Sequence, residues 1–185
     1  MNFDIPKDDI LNKKPFLFYK NENEVIYEYL SKDKKNVLFV IGASWPSKMY
    51  SKEKFAKIIN NLDENCLITW GNEAEKDVAD FIVNISKAKV LPKLDLNSLK
   101  AIMSKVDLVI GNDTGPTHMA WALNIPSITL FGNTPGYRNT YITNTNKIIE
   151  SKSIVNPFKL DRNDFSIKEI DENEIINTAK GLLNV

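Results

Sequence analysis

From residue 37 onward the chain alternates short unbroken apolar runs with longer stretches whose apolar residues fall three and four apart. Residues 37–41 (VLFVI) have strand length and no polar interruption, the pattern of a parallel strand covered on both faces. Ser51 then caps a predicted helix with Phe55, Ile58, Ile59 and Leu62 on one face. Residues 66–69 read as a second strand, followed by a helix facing inward through Val78, Phe81, Ile82 and Ile85. A weaker third strand over 89–91 leads to a helix over 96–104 capped by Asp95. Residues 106–110 (VDLVI) form a fourth predicted strand, 117–123 a helix, and 127–131 a fifth strand. The stretch 151–169 reads as loop. A last amphipathic helix, capped by Asp171, spans 171–183 with Ile175, Ile176, Ala179, Leu182 and Leu183 toward the core. Repeated strand–helix alternation predicts an α/β fold, a parallel sheet with helices on both faces.

The first 35 residues break this pattern. They are polar and rich in Lys, Asn and Glu, with one apolar run at 16–19 (FLFY). They are read as a linker with a short helix over about 22–31, and 36–185 as the folded domain. At 185 residues the whole chain suffices for one core that buries roughly 70% of its extended surface.

Composition narrows the function classes. Lys+Arg and Asp+Glu both number 24, so bulk charge does not point to nucleic acid, and the tryptophans (Trp45, Trp70, Trp121) form no stacking series. No apolar run reaches the roughly 18–20 residues of a membrane span, and the N-terminus lacks the apolar stretch of a signal peptide. One cysteine, Cys66, and one histidine, His118, leave no cysteine-built or multi-histidine metal site. Both facts suit a cytoplasmic protein with no metal cofactor. G-x-G-x-x-G, G-x-x-x-x-G-K-[ST] and G-x-S-x-G are all absent. Cys66 falls inside a predicted strand, as an inert core thiol does.

Ligands of open parallel sheets bind beyond the carboxyl ends of the strands. Four loops there combine small and polar residues: 42–48 (GASWPSK), 70–73 (WGNE), 91–94 (LPKL) and 111–118 (GNDTGPTH). In the last, Pro116 suits a first helical turn, which leaves the amides of Thr114, Gly115, Thr117 and His118 around a helix N-terminus, a ready anion site. Asp113 and Thr114 are equally the residue types of a plain cap. Lys48 is read either as a cation for a diphosphate or as one more solvated lysine. Glu73 is either the acceptor of ribose hydroxyls or a helix-start carboxylate favoured by the macrodipole. Residues 91–94 either wall an adenine or pack as ordinary core.

The stretch GNDTGPTHMAWALNIPSITLFGNT closely resembles the D-[ST]-G-x-x-H-x-x-A-A-L-x-x-P signature of family 9 glycosyltransferases, the ADP-heptose:lipopolysaccharide heptosyltransferases. GASWPSKMYSKEKFAKII, TWGNEAEKDVA and VLPKLDLNSLKAIM are similar to that family's other donor-site segments. All occur in the family's order over about residues 37–135. FGNTPGYRNTY leans toward the member that adds the first heptose to Kdo. The resemblance implies the Rossmann-like C-terminal half of a GT-B enzyme, and an inverting transfer from ADP-heptose to the lipopolysaccharide inner core (Kdo-lipid A).

Carried over residue by residue, Ser44 and Lys48 meet the diphosphate, Glu73 the ribose and the backbone at Leu94 the adenine. Asp113, Thr114 and Gly115 hold pyrophosphate and heptose, and His118 supports their loop, with Lys48 and Asp113 taken as the catalytic pair. The first loop is about one residue shorter than the family's commonest form, and Trp45 stands where a small polar residue is usual. The family's acceptor half comes first and carries the proposed base. This chain is therefore expected to be the donor-binding half behind an added Met1, binding donor without useful transfer. A nucleotide-sugar epimerase or hydrolase, and a non-catalytic ADP-binding module, are the other readings of the same loops.

Overall fold

The computed structural model describes residues 5–20 and 24–184. Its helices are α1 (Lys7–Leu11), α2 (Lys52–Leu62), α3 (Glu73–Asn84), α4 (Leu96–Met103), α5 (Gly115–Ala122), α6 (Gly136–Asn139) and α7 (Glu172–Leu183). Its strands are β1 (Asn36–Val40), β2 (Asn65–Thr69), β3 (Lys89–Val90), β4 (Leu108–Asn112), β5 (Ser127–Phe131) and β6 (Asn146–Glu150). Among the described residues the strands form one sheet in the order β3-β2-β1-β4-β5-β6, every pairing parallel. That is the doubly wound order with a switch point between β1 and β4, where a crevice opens at the strand ends.

The unbroken apolar runs have a direct cause. Along β1, Val37 and Phe39 face one core with Phe55, Ile110, Ile128 and Ile175, which draws α2 and α7 onto that side. Leu38 and Val40 face the other, with Leu67, Ile102, Val109 and Ala120 from β2, α4, β4 and α5. Successive side chains of a strand point to opposite faces, so covering both faces demands apolar residues at every position. Ser51, Asn72, Asp95 and Asp171 cap α2, α3, α4 and α7 through their side chains. Cys66 is buried, and burial pushes its thiol up to about 12, so it does not ionise near neutrality.

Several elements depart from the expectation. The helix expected over 22–31 is a 3-10 segment, Glu24–Tyr29, and its predicted first residues lie outside the described set. Within the stretch read as linker, Lys7–Leu11 is helical. Phe16 donates its amide to the Ala122 carbonyl, and Ile26 is buried with Leu17 and Tyr19 against the α4–α5 core. Strand β4 starts and ends two residues later than predicted, so Gly111 and Asn112 belong to the strand and the loop begins at Asp113. Helix α5 correspondingly starts at Gly115. Strand β6 was not predicted at all. As an edge strand it is only partly buried, and its sequence NKIIE lacks the continuous apolar run of the central strands.

Candidate donor-binding site

Asn112 closes the crevice between β1 and β4. Its side-chain amide, fully buried, donates to the carbonyls of Ile41 (2.7 Å) and Gly42 (3.3 Å), while its oxygen accepts from the Tyr50 amide at 3.0 Å. The Thr117 hydroxyl donates to the Asn112 carbonyl at 2.7 Å and fixes α5 against the strand end. Gly111 is obligatory there, since a Cβ would sit 2.6 Å from that hydroxyl and 2.8 Å from the Val40 carbonyl. The two loops are thereby locked in register before any ligand arrives.

Asp113 is the hub of the site. It is 4% exposed, forms an ion pair with Lys48, and accepts from His118 Nε2 at 2.9 Å, Thr134 Oγ1 at 2.8 Å and Asn139 Nδ2 at 3.0 Å. Burial pushes its carboxyl upward, but the hydrogen bonds from His118, Lys48 and Thr134 and the Lys48 charge outweigh burial and hold it well below the usual carboxylate range. Lys48 is itself 8% exposed. Its short 3-10 turn, Pro46–Lys48, is pinned by Ser47, whose hydroxyl accepts from Asn133 Nδ2 at 2.8 Å. The cationic groups of Lys48 and Arg162 are 4.9 and 4.7 Å from the Trp45 ring centroid, so the indole packs against the lysine.

Two cavities sharing Thr114 lie at the strand ends, and a third flanks α5. A basin of about 510 Å³ is lined by Ser44, Lys48, Asp113, Thr114, Gly115 and His118, with Arg138 and Asn139 on its far wall. Six of the expected site residues therefore surround one space. The amides of Thr114, Gly115 and Thr117 make no hydrogen bond among the described residues and surround the open α5 N-terminus. The fourth expected amide, that of His118, is not free. It donates to the Thr114 carbonyl at 3.2 Å because the helix begins two residues earlier than predicted.

Thr114 also lines a narrower cavity of about 230 Å³, walled by Thr69, Trp70, Leu94, Leu96 and Leu99 with Glu75 at its edge. Leu94 thus lies where it was expected. Glu73 does not: it is exposed on the first turn of α3 and lines neither cavity. The carboxylate that does is Glu75. It accepts from the Gly71 amide at 2.7 Å and Asn72 Nδ2 at 3.0 Å, which turns it back over the strand ends. It lies against Gly42 so closely that a Cβ there would be 2.3 Å from the carboxyl carbon. On the other side, Gly115, His118, Arg138 and Asn139 are shared with a third cavity of about 490 Å³.

Thr134, Asn139, Arg138 and Glu75 are the site residues that sequence reasoning passed over. The first three follow β5, a fifth strand end whose polar run NTPGYRN was not counted among the loops. Glu75 carried a signal as well. Asn72-x-x-Glu75 is a reciprocal capping pair, confirmed by the Glu75 amide donating to Asn72 Oδ1 at 3.0 Å.

The sequence pattern of glycosyltransferase family 9 (heptosyltransferase) matches residues 3–164. The lipopolysaccharide heptosyltransferase 1 of Campylobacter coli is 39% identical over 96% of this chain and 56% of its own length. Among solved structures, E. coli heptosyltransferase WaaC with ADP superposes with a TM-score of 0.69 at 19% identity, over 85% of this chain and 47% of that one. A family 9 glycosyl transferase from Veillonella parvula gives 0.73 at 21% identity, over 87% and 50%. The chain spans about half the length of the relatives it matches. Among the described residues no helix is long and apolar enough to cross a membrane.

Proposed function

Since the chain belongs to glycosyltransferase family 9, we propose that it is the donor-binding part of an inverting heptosyltransferase, working in the cytoplasm on ADP-heptose. The acceptor on this reading is the Kdo-lipid A inner core of lipopolysaccharide, met by protein outside these 185 residues. The observation that carries it is that two unlike cavities share Thr114 as a wall residue. One has apolar walls and a held carboxylate, suited to a nucleoside. The other has a lysine, free amides and a helix N-terminus, suited to a diphosphate.

The nucleoside lies between Leu94 and Trp70, with Glu75 rather than Glu73 accepting from the ribose hydroxyls. The diphosphate lies against the α5 amides with Lys48 beside it, and Ser44 at the rim adds a hydroxyl. As an acceptor oxygen attacks the anomeric carbon, charge builds on the departing ADP. Preorganised amides and Lys48 meet that charge where it develops, without reorientation of solvent. In this scheme they supply the neutralisation that a divalent metal supplies elsewhere. Among the described residues no cluster of three or more His, Cys, Asp or Glu is placed to hold a metal ion.

Asp113 acts by holding Lys48 and His118 in place. Both oxygens of that carboxylate are already engaged, Oδ1 by His118 and Oδ2 by Lys48, Thr134 and Asn139, which disfavours the epimerase and hydrolase readings, whose acid–base pair would be Asp113 and His118. Calorimetric titration with ADP, UDP and GDP in the presence of EDTA tests the proposal. Selective ADP binding is expected. Equal affinity for the three, or binding only with added metal, overturns it. A parallel titration separates a nucleotide-sensing module, which would hold ADP and ADP-heptose equally.

A further inference from the structure

The segment after β5 grips both partners of the Lys48–Asp113 ion pair. Thr134 donates to Asp113 at 2.8 Å. Its neighbour Asn133, 1% exposed, donates through Nδ2 to Ser47 Oγ at 2.8 Å and to the Asp161 carbonyl at 2.9 Å. Ser47 is itself buried, in the turn Pro46–Lys48 that presents the lysine. Gly132 leaves this segment little freedom to move. A Cβ there would lie 2.6 Å from the Ile167 Cβ and 2.8 Å from the Ile167 backbone nitrogen. Next to the held Asp161 carbonyl, Arg162 packs its guanidinium on Trp45, the ring that Lys48 also approaches. Asn133 thus ties the turn that carries Lys48 to the 161–162 segment. It lines no wall of the basin.

The oxygen of the same amide is buried and accepts no hydrogen bond among the described residues. A buried amide that uses its N–H donors and leaves its oxygen bare is oriented by those donors. Turning it over would set that oxygen against the Asp161 carbonyl, two acceptors with no proton between them. Resting on the donor-site reading above, we infer that Asn133 is a positioning residue for the diphosphate end of the site. It fixes the 46–48 turn through Ser47, and so holds Lys48 ready for the phosphates without touching them. A lysine has a long flexible stem, and any freedom left in it must be removed when a ligand binds. Asp113 restrains only its tip, and Trp45 flanks it. The root is restrained by the turn, and the turn by Asn133.

The test is a double-mutant cycle in ligand binding, with ADP and adenosine as the two probes. Asn133→Ala should weaken ADP by about three- to tenfold and adenosine by less than about twofold. In a Lys48→Met background the same substitution should no longer change ADP affinity, because the group it positions is gone. Asn133→Asp keeps the side chain's size and loses its N–H donors, so it should weaken ADP at least as much. It also serves should the alanine variant fail to fold. Equal losses for ADP and adenosine, an undiminished loss in the Lys48→Met background, or wild-type affinity in Asn133→Asp each overturn the inference. A second readout needs no ligand. Either variant should shift the Trp45 indole N–H resonance and leave those of Trp70 and Trp121 in place, and an unmoved Trp45 signal also overturns it. Should the wild type bind no ADP, the donor-site reading fails, and the indole alone decides whether Asn133 holds the turn.

Discussion

The Lys48 basin and the aromatic cavity share four wall residues, Gly115, His118, Arg138 and Asn139, yet they are held by opposite means. In the basin, buried polar groups satisfy one another. Asp113 takes donors from α5, from the turn after β1 and from the segment after β5, and each of those segments is fixed elsewhere by Asn112, Ser47 or Asn133. In the cavity, the exposed rings of Phe16, Tyr137 and Tyr141 and the half-buried Trp121 contribute shape, and among the described residues their side chains make no hydrogen bond to one another. A network of buried charge is costly to build and rigid once satisfied, whereas a wall of exposed aromatics adapts to what enters. Rigidity suits the diphosphate proposed for the basin.

The largest expected effect is at the hub. Asp113→Asn keeps the shape of the side chain but leaves Lys48 with no counter-charge in a site 8% exposed. Breaking a buried pair in this way is expected to cost about 3 kcal/mol, the low end of the usual range because Lys48 can swing into the open basin. Denaturant unfolding at pH 7 measures it. The sign of the pH dependence follows from the lowered carboxyl: its stabilisation is complete above the ordinary value of 3.8 and is lost as pH falls below that toward the folded-state value. The wild type should therefore lose stability below about pH 4 more steeply than Asp113→Asn.

Next in size is Lys48→Met, which retains bulk against Trp45 and removes the charge. ADP affinity should fall by about 1.5–3 kcal/mol, the range for hydrogen bonds to charged groups. Unchanged ADP affinity in calorimetry would take Lys48 out of the diphosphate site. A pair of glutamate variants sharpens the nucleoside end. Glu75→Gln should weaken ADP by about 1–2 kcal/mol and leave pyrophosphate binding alone, and Glu73→Gln should change neither by more than about 0.5 kcal/mol. The reverse pattern would restore the ribose role to Glu73.

That pair also shows what the sequence displays and what it conceals. The central strands are legible because both faces are covered, so VLFVI can be little else. Strand β6 is concealed because an edge strand needs only one buried face and one partner. The basin is legible as loops 42–48 and 111–118, since the doubly wound order sends strand ends β1 and β4 to one crevice. The donors Thr134 and Asn139 are not, because nothing local says that the segment after β5 folds back over its neighbour's aspartate. Glu73 and Glu75 sit two apart at a helix start, and only the reciprocal cap with Asn72 decides which one turns inward. Local chemistry of that kind is readable when the capping pair is weighed before the family pattern is applied.

The smallest effect probes the boundary between the two regions. Asn139 reaches Asp113 at 3.0 Å from α6, on the wall shared by basin and cavity. Asn139→Ala removes one donor of several, so the hub keeps Lys48, His118 and Thr134, and stability should fall by about 0.5–1.5 kcal/mol. Combined with Asp113→Asn, the loss should be less than additive, because the partner it served has already lost its charge. Strict additivity in denaturant unfolding would mean that α6 is held independently of the hub. The shared wall would then belong to the adaptable cavity, and the order of the basin would stop at Thr134.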